Sequence, residues 1–204
     1  MSAEGQATRP LEDIRTEIDA IDAQVRELIM RRMDCSAQVA AAKLAAGSTE
    51  VFRPDREASM LEHHGALVPQ ERRAGYQAAL RRVVEASRSY QYGIMYAQLG
   101  DAATCGQLPG AELLEERGRF VELQLGCPGT AASLATLLGM VAEHGVGLAG
   151  IEQLSAGEGA VEGAGEGAAR YRLTLAADAA SPAVRKLLWQ LSKESLELRI
   201  TAVR

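Results

Sequence analysis

The chain has 204 residues, 47% of them hydrophobic and 24% charged, with a formal net charge of −5. That is enough apolar material for one large domain or two small ones, and a mildly acidic chain without a basic cluster argues against nucleic acid as a partner. Cys35, Cys105 and Cys127 are far apart and outside metal-ligand spacing, which points to a reducing compartment and no metal site. The first residues lack a signal-peptide pattern and no stretch approaches the ~20 apolar residues of a membrane span, so a cytoplasmic protein away from membranes is expected.

From Leu11 the apolar residues recur at Ile14, Ile18, Ile21, Val25, Leu28, Cys35, Val39 and Ala42. Steps of three and four predict a long amphipathic helix with a coiled-coil-like seam, unbroken by Gly or Pro until Gly47. At 1.5 Å per residue it is about 50 Å long, more than one small domain can cover, so it is expected to pack along a second subunit. Pro54, Asp55 and Glu57 open a shorter helix to about His64. Pro69 opens a third, with Tyr76, Leu80, Val83, Val84, Ser87, Gln91 and Ile94 or Met95 on one side. Residues 8–98 are therefore expected to form a helical domain, and residues 99–118, rich in Gly, Pro and acids, a linker.

After Arg119 the period changes. FVELQLG alternates as a strand, TAASLATLLGMVAEHG is helical, VGLAGIEQLS and RYRLTLAAD are strands, a helix starts near Ser181, and LELRITAVR is a last strand. The order β-α-β-β-α-β predicts a ferredoxin-like α/β domain over 119–204. The Gly/Ala/Glu run at 156–169 is expected to be a hairpin tip; it lacks the Lys and Ser/Thr of a phosphate loop.

Several polar residues sit where helix packing does not call for them. Arg32 interrupts the long seam, and Lys43, eleven residues on, projects about 20° from it at 100° per residue, so both cations share one strip. Arg32 can also be read as a snorkelling side chain, or as the partner of an acid on a neighbouring helix. Arg15 projects roughly 100° away and most of a helix length distant, so only a symmetric dimer brings it to such a strip. Arg56 and Glu57 adjoin at a helix start, and Ser87 and Gln91 break an apolar face at i, i+4. With no matched nucleophile and base among them, the set suits a small dianion held by guanidiniums, with chemistry that needs positioning and electrostatics.

LEDIRTEIDAIDAQVRELIMRRM, the downstream AAAK, VFRPDREA, and Ser87 with Gln91 in EASRSYQ resemble the all-helical chorismate mutases of the AroQ type, over nearly the whole N-terminal half. The resemblance implies a three-helix fold in an intertwined homodimer, converting chorismate to prephenate without a cofactor. It further implies that Arg15 serves the partner's site and that Arg32 and Arg56 hold the substrate carboxylates. Lys43 and Gln91 would meet the ether oxygen, Glu57 the ring hydroxyl, and Ser87 a carboxylate. One departure is Arg53, where several members carry Asp.

The strand–CPGT–helix opening of the C-terminal part is similar to that of ACT regulatory domains. This implies an aromatic amino acid effector, phenylalanine or tyrosine, bound near Gly129 and Thr130 at the helix start, where backbone N–H groups can receive a carboxylate; the same residues can also simply form a tight turn. Two other functions fit the pattern: an isochorismate pyruvate lyase using the same pocket, and a non-catalytic sensor of aromatic metabolites that regulates a partner enzyme.

Overall fold

The computed structural model describes residues 9–154 and 167–204, so most of the Gly/Ala/Glu run expected as a hairpin tip lies outside the described residues. The first half is helical: α1 (Leu11–Ala45), α2 (Pro54–Ala66) and α3 (Gln70–Thr104). Proline sets two of these starts, standing at the first position of α2 and just before α3, where a missing N–H costs no intrahelical bond. The helix α3 runs beyond the expected boundary near 98 into the segment read as a linker. It is interrupted at Gly100, whose φ of 74° and ψ of 176° no helix accommodates.

α1 leaves most of its apolar seam in the open: Leu11 and Leu28 are 60% exposed, and Ile18, Ile21, Val25 and Val39 nearly half exposed. No helix among the described residues is long and apolar enough to cross a membrane.

The second half is a four-stranded antiparallel sheet with helices. Among the described residues it runs β1 (Val121–Pro128), α4 (Ala131–Glu143), β2 (Gly147–Gln153), β3 (Ala168–Ala176), α5 (Pro182–Glu194) and β4 (Glu197–Val203). The strand order is β2-β3-β1-β4. Strict alternation buries Val121, Leu123 and Leu125 on β1 and Tyr171, Leu173 and Leu175 on β3, and the register sets Leu123 opposite Leu173 and Ile200. β2 is an edge strand and is exposed along nearly its whole length, Leu148 and Ile151 included.

The helices α4 and α5 cover the sheet through Leu137, Met140, Val141, Val184, Leu187, Leu188 and Leu191, and they also pack against α3. One apolar core therefore runs from the sheet into Tyr92 and Met95 of α3, both fully buried. Tyr92 meets Trp189 of α5 edge to face at 5.3 Å. The segment between the halves is tied down rather than loose. Arg185 donates to the carbonyls of Ala179 and Leu114, each at 2.8 Å, and the Cys105 thiol donates to the Arg185 carbonyl at 3.0 Å. Burial pushes that thiol up to about 11. Gly110, with φ 83°, passes so close to β4 that a Cβ there would sit 2.2 Å from the Ile200 carbonyl oxygen.

Candidate active site

Where α1, α2 and α3 converge they enclose a cavity of about 350 Å³, within the range of small-molecule sites. Its wall gathers six of the seven catalytic candidates read from the sequence: Arg32 and Lys43 from α1, Arg56 and Glu57 from the first turn of α2, Ser87 and Gln91 from α3. The helical angle that put Arg32 and Lys43 on one strip therefore delivers both to one cavity. Arg15 does not line it. Its side chain is 61% exposed on the opening turns of α1, paired with Glu12 at 2.7 Å.

Arg32 Nη1 donates to Ser87 Oγ and, at 3.3 Å, to the Val83 carbonyl, while Ser36 Oγ donates back to the Arg32 carbonyl at 3.1 Å. No acid pairs with Arg32 among the described residues. Lys43 Nζ donates to the Glu50 carbonyl at 2.6 Å. Burial, then the neighbouring cations Arg53 and Arg56, hold its ammonium below the ordinary lysine pKa against the opposing pull of Glu50. Gln91 Nε2 donates to the Ser87 carbonyl at 3.3 Å, and its Oε1 is buried without a partner. A buried amide oxygen left unpaired is costly, and a bound ligand or a turned amide relieves it. Arg53, at the place where the resemblance leads one to expect Asp, lines the same cavity and stands 4.0 Å from Glu50.

Sequence reasoning missed Arg88. It is 4% exposed, lines the cavity, pairs with Glu57 through Nη1, and reaches Glu194 on α5 through Nη2 at 2.8 Å. Its guanidinium also lies over the Phe52 ring, 4.8 Å from the centroid. Desolvation favours its neutral form, yet Glu194 and Glu57 together outweigh that and hold it firmly charged. The signal was available: Arg88 stands four residues after Val84 and seven before Met95, on a buried stripe, as Arg32 does on α1.

With Arg88 neutralised by two carboxylates, the cavity retains Arg32, Lys43 and Arg56 facing few negative groups. Among the described residues neither Arg32 nor Arg56 has an ion-pair partner, and the nearest carboxylate lining the wall, Glu57, is engaged by Arg88. An anion with two separated charges is what such a wall can hold. Residues 14–92 match the family model for chorismate mutase type II. Curated relatives include the intracellular chorismate mutases of Mycobacterium bovis and Mycobacterium tuberculosis, each 32% identical over 66 residues, which is 32% of this chain and 62% of theirs. The chain thus spans under two thirds of the length of the curated relatives it matches. No solved structure matches it.

At the expected effector position, Thr130 caps α4: its Oγ1 accepts from the Ser133 amide at 3.1 Å. The amide of Gly129 donates to the Gly167 carbonyl and that of Thr130 to the Pro128 carbonyl, both at 2.7 Å. Both N–H groups expected to be open to a carboxylate are thus engaged, that of Gly129 with the residue before β3 and that of Thr130 within the turn.

Proposed function

We propose that the protein is a chorismate mutase that rearranges chorismate to prephenate in the cavity between α1, α2 and α3, without a cofactor. The observation that carries this reading is the gathering of Arg32, Lys43 and Arg56 on one wall, with no carboxylate among the described residues spent on Arg32 or Arg56. The match of residues 14–92 to the chorismate mutase type II model supports it. Arg32 and Arg56 take the two carboxylates, with Ser87 assisting Arg32. Lys43 and Gln91 donate to the ether oxygen as the C–O bond breaks and charge collects there, and Glu57 accepts from the ring hydroxyl. The reaction is unimolecular and moves no proton, so folding the enolpyruvyl arm over the ring and stabilising a partial oxyanion are the whole task.

The reading includes a homodimer in which Arg15 completes the partner's site. The exposed seam of α1, at Leu11, Ile18, Ile21, Val25 and Leu28, supplies the apolar face such a pairing buries. It also takes residues 119–204 as an ACT-like regulatory domain sensing phenylalanine or tyrosine. An effector carboxylate at Gly129 and Thr130 has to displace the Gly129 amide from Gly167.

The test is turnover of chorismate by wild type and Lys43→Ala, with product analysis on chorismate and isochorismate. Removing one preorganised donor from a developing oxyanion costs about 3 kcal/mol, a loss of over ~100-fold in kcat. Wild-type turnover by Lys43→Ala overturns the site assignment, and pyruvate released from isochorismate with no prephenate overturns the reaction.

A further inference from the structure

Glu194 is the last residue of α5, and its side chain is only 1% exposed. Burial raises its carboxyl above the usual carboxylate range, although Arg88 opposes the shift. Leaving an ionisable group this deep is expensive unless paired. Its Oε1 accepts from Gln190 Nε2 at 3.0 Å, and its Oε2 lies 2.8 Å from Arg88 Nη2 as an ion pair, without a hydrogen bond of its own. Gln190 is itself fixed on both sides, its Oε1 accepting from His144 Nε2 at 2.8 Å and its Nε2 donating to Ser89 Oγ of α3 at 3.1 Å. The anchor is therefore held through Gln190, and it belongs to the sheet half of the molecule.

Arg88 spreads its fork between two halves: one nitrogen on Glu194, the other on Glu57 Oε2. That division leaves Glu57 Oε1 without a hydrogen-bond partner among the described residues. If the Glu194 charge is removed, the guanidinium has one carboxylate left, and a bidentate grip on it is the favoured geometry. Both Glu57 oxygens are then occupied. We propose that Arg88 is a positioning residue for Glu57, and that Glu194 of the sheet half anchors it, so that the C-terminal half keeps one oxygen of Glu57 open to the substrate's ring hydroxyl in the helical cavity. This rests on the site reading given above for Glu57.

The test uses the full-length chain in four forms: wild type, Glu194→Gln, Glu57→Gln and the double variant, each assayed for KM and kcat with chorismate. A hydroxyl contact made equally in the ground and transition states appears in KM, so Glu194→Gln should raise KM about tenfold with kcat within about twofold. Adding Glu194→Gln to Glu57→Gln should change nothing further, because the relay acts only through Glu57. A merely structural role for Glu194 lowers kcat through the active fraction and multiplies with Glu57→Gln. Wild-type KM in Glu194→Gln, or multiplying effects, overturns the relay alone while a raised KM in Glu57→Gln leaves the site reading standing. Wild-type KM in Glu57→Gln overturns both. Should Glu194→Gln fail to fold, Arg88→Lys keeps the charge but reaches only one carboxylate. Without the fork Glu57 loses its positioning, so this variant must raise KM, masked by Glu57→Gln, or the relay is refuted.

Discussion

Arg15 provides the sharpest quantitative test of how two copies would share their sites. It lies about 25 Å from Arg32 along the α1 axis, at 1.5 Å per residue, and points its guanidinium at Glu12 rather than into the cavity. No side chain spans that distance, so a contribution from Arg15 has to come from a second chain. Replacing Arg15 or Arg32 by alanine removes one charged donor to a carboxylate, about 2–3 kcal/mol, so each homodimer should retain only a few per cent of wild-type kcat/KM or less. In a mixed dimer of Arg15→Ala with Arg32→Ala, one site receives both intact arginines and the other receives neither. A symmetric pair with shared sites should therefore regain about half of wild-type activity. The assay is loss of chorismate absorbance by mixed dimers co-expressed with two different tags and purified through both. Activity no higher than the mean of the two homodimers refutes the shared site, and so does wild-type activity in Arg15→Ala.

In the proposed site Lys43 acts as its ammonium, and burial with Arg53 and Arg56 lowers its pKa from the ordinary 10.5. kcat/KM should thus be full below that lowered value and fall as pH rises through it. Arg53→Ala removes a repelling cation and should move this limb to higher pH in a pH–rate profile; a limb that stays or moves down contradicts the assignment. Gly110→Ala places a Cβ 2.2 Å from the Ile200 carbonyl oxygen at φ 83°, and should cost at least about 2 kcal/mol in chemical denaturation. An unchanged midpoint there shows that the segment yields. Leu28→Asp, on a side chain 60% exposed in the single chain, should shift sedimentation toward monomer while leaving secondary structure by circular dichroism intact. A persistent dimer rules out the α1 seam as the interface.

Much of this arrangement was legible from periodicity. The period of α1 set the angle between Arg32 and Lys43, and the alternation of β1 and β3 located the buried face of the sheet, because both are geometric properties of a regular backbone. Arg88 escaped for a different reason. Its partners Glu57 and Glu194 are 31 and 106 positions away, and helix spacing carries no information about which distant acid a buried guanidinium meets. The segment after residue 98 misled because Gly and Pro density signals loops. Here Gly100 bends a helix that continues to Thr104, and Gly110 permits a close approach to β4. The amides at Gly129 and Thr130 were expected to be free because they stand at a helix start, and the carbonyls of Gly167 and Pro128 use them.

Trp189 is the sole tryptophan of the chain, and it is 2% exposed with its ring edge-on to Tyr92. The molecule therefore carries its own optical probe at the seam between its halves. If α5 lifts from α3, the indole meets water and its emission moves to longer wavelength, even while both halves keep their backbone hydrogen bonds. Separation of the halves can be followed by that colour, independently of whether either one has melted.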